Sequence, residues 1–170
     1  MRLARVFGFG LGLVLLGSST AQADDPFRLT GAGSTVSNGV YVGPYRGVLG
    51  SGPGAPSIDV VCVDYFNPAR LNVTYTVNST NLGTGWDANA VRFGNISTGG
   101  LLAYRQAAWL SWQFASAPPS SFGTIHRTIW NIFTPAAPGP TLANPTLANW
   151  QAAWDAWYNG AGQNYDWNSV

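Results

Sequence analysis

The feature that most constrains the fold is a change of hydrophobic period near residue 98. Before it, LNVTYTVNS (71–79) alternates Leu71, Val73, Tyr75 and Val77 against Asn72, Thr74, Thr76 and Asn78. A strict period of two predicts a half-buried strand. PSIDVVCVDYF (56–66) is apolar on both faces, with Ile58, Val60, Cys62 and Phe66 on one side and Val61, Val63 and Tyr65 on the other. Such a run reads as a central strand covered on both sides. GVYVGPYRGVL (39–49) is also β-like, rich in Val, Tyr and Gly.

Beyond residue 98 the period becomes helical. GGLLAYRQAAWLSWQFAS (99–116) holds good helix formers and ends before Pro118-Pro119. SSFGTIHRTIWNIFTP (120–135) sets Phe122, Ile125, Ile129 and Phe133 on one stripe before Pro135 stops it. NPTLANWQAAWDAWYNG (144–160) offers Asn144 as N-cap, Pro145 at the first helical position and Gly160 as stop. Its inner face would be Leu147, Trp150, Trp154 and Trp157. YDWNSV (165–170) is expected to form a last strand. Strands followed by helices give an α+β class: an N-terminal antiparallel, β-sandwich-like sheet (β-rich 27–98) packed with about three C-terminal helices (99–160).

Residues 1–23 have the three parts of a secretory signal. Arg2 and Arg5 give a positive start, Val6 to Leu16 a short apolar core, and Ala21-Gln22-Ala23 a small-x-small cleavage site. The apolar stretch is shorter than a bilayer-spanning helix needs, so no integral span is expected in the mature chain. The mature chain is read as one secreted domain, 24–170. It carries six arginines and seven aspartates, with no lysine and no glutamate anywhere. No basic stripe exists to hold nucleic acid.

The chain has a single cysteine, Cys62, and a single histidine, His126. An exported chain with one cysteine has no internal disulfide; the residue is a small buried hydrophobe, a reactive thiol or an intermolecular link. A catalytic reading pairs Cys62 with His126 as thiolate and imidazolium, with Asp64 as the orienting third group, and requires an oxyanion hole and an open cleft. The packing reading places His126 at the edge of the Phe122/Ile125/Ile129 stripe as a neutral imidazole bonded to a backbone carbonyl, and is the one favoured here. One His, one Cys and scattered Asp do not make a metal site, so no metal and no cofactor are expected. Asp59 and Asp64 point to opposite faces of a regular strand and make a poor glycosidase pair. Helical spacing assigns most tryptophans to the core, leaving Trp86 and Trp167 as the exposed candidates for stacking on a sugar.

YVGPYRGVL with VVCVDYF, then YRQAAWLSWQF, then IHRTIWNIF carry in that order a resemblance over most of residues 40–134. The set resembles exported bacterial PEP-CTERM-type proteins, and its last three elements are similar to the thioester domains of bacterial surface adhesins. In those domains a strand Cys and a Gln four residues before Trp condense to an internal thioester. By position these are Cys62 and His126, and an imidazole has no carbonyl carbon with which to acylate sulfur. Arg105 and Gln106 also stand where the family often has an acidic residue before Ala-Ala-Trp.

The resemblance therefore implies a non-catalytic secreted surface or extracellular-matrix protein, thioester-domain-like without a thioester, whose partner is an extracellular polysaccharide or a surface protein. The rivals are a cysteine-dependent enzyme using Cys62 and His126, and a secreted carbohydrate-binding module using Trp86.

Overall fold

The computed structural model describes residues 4–8, 12–14, 25–33, 35–97, 99–135 and 145–169. Its strands are β1 (Ala4–Gly8), β2 (Gly12–Val14), β3 (Asp25–Gly31), β4 (Thr35–Ser37), β5 (Val40–Val42), β6 (Tyr45–Leu49), β7 (Ser57–Cys62) and β8 (Thr74–Thr80). The helices are α1 (Gly100–Gln113), α2 (Phe122–Phe133) and α3 (Pro145–Gly160). β8, β3, β6 and β7 pair antiparallel in that order as a curled sheet, and β4 and β5 form a separate hairpin. The short β1 and β2 run between the two edges of the curl, parallel to β7 and β8. Both fall in the stretch read as a leader, whose expected cleavage site at Ala21–Ala23 lies outside the described residues. The fold is α+β, with the strands mostly N-terminal.

Two cores share β7. Ile58 and Val60 face into the curl with Phe27, Leu29, Leu49 and Val77. Val61 and Val63 face the helices and join Leu82, Tyr104, Ile125 and Ile129. The two-faced apolar pattern of 58–63 is thus used on both sides, as a strand covered by two layers requires. In β8 the alternation also holds, with Val77 buried and Thr74, Thr76 and Asn78 exposed. Three expectations differ at the strand ends. β8 begins only at Thr74, so Leu71 and Val73 precede it and stay exposed; β7 ends at Cys62, after which the chain turns and leaves Phe66 exposed. The 39–49 stretch is two strands, broken at Gly43-Pro44.

α2 is the central helix. It touches α1 and α3 on one side and β4, β5 and β7 on the other, and its neighbours bury Ile125, His126, Ile129, Trp130 and Phe133. Ile125 and Ile129 are completely buried. α3 packs through Trp154 against Trp109 of α1, ring centroids 5.8 Å apart, as the aromatic spacing predicts; the side chain of Leu147 lies outside the described residues.

No strand forms over the described part of 165–170; Trp167–Ser169 is a short 3-10 turn, and Val170 lies outside the described residues. The reason is the Trp167 ring. It stacks on Trp112 at 6.0 Å, and its indole N–H donates to the Gly162 carbonyl at 3.2 Å. Trp167 is therefore buried, against the expectation of exposure.

Ile129→Ala is expected to cost about 2–5 kcal/mol of stability, because a fully packed side chain leaves a cavity. Val36→Ala, exposed on the hairpin, should stay within about 0.5 kcal/mol of wild type. Urea unfolding of both variants checks the contrast.

Candidate functional site

The two singletons meet where α2 crosses the end of β7. The His126 ring is completely buried. The Gly43 N–H donates to its Nδ1 at 3.0 Å, and Nε2 lies 3.0 Å from the Cys62 backbone carbonyl. A carbonyl can only accept, so Nε2 carries the proton and Nδ1 is the free lone pair. This is the neutral tautomer bonded to a backbone carbonyl that the sequence suggests, more deeply placed than the edge of a stripe.

Local structure makes the approach possible. Gly43 has φ of 97°, and a Cβ there would stand 2.8 Å from the Phe122 ring of α2. A glycine is needed both for the positive φ and for the close approach. The imidazole then lies over Trp130 one turn along the helix, with ring centroids 4.3 Å apart. Burial drives the His126 pKa down to about 4, and the bond to the Cys62 carbonyl opposes that only in part.

The Cys62 thiol makes its own hydrogen bond, donating to the Asp64 carbonyl at 3.1 Å. Cys62 keeps some exposure, yet desolvation pushes its thiol up to about 12. The Asp64 charge pushes the same way, while the hydrogen bond at Asp64 and the nearby Trp130 indole act against it. The Asp64 carboxylate does not orient His126. Its Oδ1 accepts from the Phe66 N–H at 3.0 Å; its Oδ2 accepts from the Asn67 amide at 2.9 Å and pairs with Arg92 at 2.6 Å. Cys62, His126 and Asp64 are thus neighbours with three separate sets of partners, and the proposed triad geometry is not formed.

The other candidates separate further. Asp59 pairs with Arg46 at 3.0 Å on the sheet, away from the Asp64–Arg92 pair. Trp86 is half-buried, against the expectation of exposure, and packs at a tilt on Tyr104, ring centroids 5.4 Å apart and planes 51° apart. Among the described residues no three His, Cys, Asp or Glu side chains gather in a metal-binding group, and no helix is long and apolar enough to cross a membrane.

Sequence reasoning missed the cavity beside Cys62. It has a volume of about 380 Å3 and lies between the sheet, the 65–71 loop and the β4–β5 hairpin. Tyr41, Tyr45, Val60, Tyr65, Ala69 and Trp130 are among its walls. The available signal was the Asn38-Gly39 pair, a hairpin turn by composition, which folds β5 back over the sheet; both residues have positive φ.

Two outcomes follow from these protonation states. Iodoacetamide at pH 7–8 should label Cys62 slowly in the native protein and rapidly after denaturation, because the thiolate is the nucleophile; equally fast native labelling would contradict the raised thiol. Because the unfolded imidazole binds its proton more readily than the folded one, the His126 contribution is fully kept above pH 6.5. It is lost as pH falls toward 4, by about 3 kcal/mol in all. Denaturant midpoints across that window should fall in wild type, and His126→Gln should remove this part of the slope. No family model, curated protein or solved structure matches this chain.

Proposed function

We propose that the chain is a non-catalytic exported surface or extracellular-matrix protein, thioester-domain-like in motif order but without a thioester. The observation that carries this reading is the state of the two reactive side chains. Both nitrogens of His126 are spent on backbone groups, and the Cys62 thiol is hydrogen-bonded and held protonated. A thiol nucleophile needs a lowered pKa and a base within reach, and neither is provided here.

The composition and the leader support export, and the ordered phrases that resemble PEP-CTERM-type and thioester-adhesin proteins support display outside the cell. An extracellular polysaccharide or a surface protein is the class of partner that fits. Trp86 gives the carbohydrate-binding rival little help, because its indole is half-buried against the helical core.

Expressed in an exporting bacterium, the protein should appear outside the cytoplasm with Asp24 at its N-terminus, and Cys62→Ala should reach the same fraction in the same amount. Retention in the cytosol with residues 1–23 intact would overturn export. Loss of surface association in Cys62→Ala would favour thiol chemistry instead.

A further inference from the structure

The cavity beside Cys62 has features that packing alone does not require. Its mouth carries large apolar side chains in water: Tyr41 is 55% exposed and Leu71 47%. Its interior walls include Leu29, Val40, Val60 and Ala69. A volume of about 380 Å3 sits at the lower end of the range of ligand pockets, about 300–1,000 Å3.

Charge narrows what could enter. Asp64 is the one carboxylate in the lining, and its oxygens already meet Arg92, the Asn67 amide and the Phe66 N–H. The Tyr45 hydroxyl donates to the Tyr41 carbonyl at 2.6 Å, and the Cys62 thiol is committed to Asp64. A charged guest would lose its water and gain no counter-charge. One donor remains. The Trp130 ring lines the cavity and is 4% exposed, and its indole N–H has no hydrogen-bond partner. That N–H lies toward the Cys62 sulfur, a weak acceptor. A buried donor left so costs free energy that an incoming oxygen would recover.

We propose that this cavity binds a small, uncharged, mainly apolar molecule of two or three rings' size that carries one hydrogen-bond acceptor, its apolar body between the β4–β5 hairpin and the 65–71 loop and its acceptor on the Trp130 indole N–H. The β4–β5 hairpin, turning at Asn38-Gly39, is the roof. The site would operate whether or not the protein is displayed at a surface, so its failure and the failure of the surface reading are separate results.

Two neutral fluorescent probes test it on the intact protein: prodan, which carries a ketone acceptor, and N-phenyl-1-naphthylamine, which carries no carbonyl. Both should bind saturably with one site per chain. Ala69→Trp, which fills the cavity, should weaken both more than tenfold, while Leu102→Ser, at an exposed leucine outside the cavity lining, changes neither. Trp130→Phe should weaken prodan about three- to tenfold, the worth of one hydrogen bond, and leave the other probe unchanged. Should Ala69→Trp not fold, NMR of the unsubstituted protein decides: prodan should shift the Trp130 indole N–H and the amides of Val60 and Ala69. Non-saturating binding, binding indifferent to Ala69→Trp, or shifts confined to other regions would overturn the site. Equal loss of both probes in Trp130→Phe would overturn the acceptor.

Discussion

The imidazole of His126 joins three parts of the chain that have no local reason to meet. It accepts from Gly43, 83 residues upstream, and donates to the carbonyl of Cys62, 64 residues upstream, while its own backbone belongs to α2. Buried backbone groups that lose their partners cost more than a hydrogen bond gains. The ring therefore fixes the depth at which α2 lies on the sheet and the point at which the chain leaves β5 for β6. Trp130 and Phe114 close around it, with ring centroids 4.3 and 6.1 Å from the imidazole. Ionising the ring would convert Nδ1 from acceptor to donor and set it against the Gly43 N–H.

That bond pattern also separates the imidazole from the thiol beside it. The imidazole touches the backbone of Cys62 and not the base-to-thiol geometry of a dyad. The sulfur turns instead to the Asp64 carbonyl, and the Asp64 carboxylate is held by Arg92 and the chain that follows it. A neutral imidazole and a primary amide each offer one acceptor and a donor. A glutamine at 126 could therefore make both backbone bonds.

Much of the fold was legible because it is written in short-range periods. The two-faced run of 58–63, the alternation through 74–80 and the stripe of 122–133 each depend on neighbours a few residues away. α2 ends at Phe133, just before the Pro135 expected to stop it. The site was legible only in part, because its partnerships are long-range. No spacing pairs Arg92 with Asp64 or points Gly43 at His126. The alternating residues Leu71 and Val73 read as an extension of a strand, yet Leu71 forms the rim of a cavity made by a hairpin folding over from residues 35–42. The tail failed for a similar reason. Trp167 finds Trp112 and the Gly162 carbonyl, and these contacts outweigh the strand-like composition of its neighbours.

These contacts require His126 to be neutral, with its proton on Nε2. Nitrogen-15 NMR of the imidazole measures this directly, since the two ring nitrogens of a neutral histidine have widely separated shifts. At pH 7 the account predicts a protonated Nε2, an unprotonated Nδ1, and no titration until the pH approaches about 4. A ring already cationic at pH 7, or one with its proton on Nδ1, would contradict it.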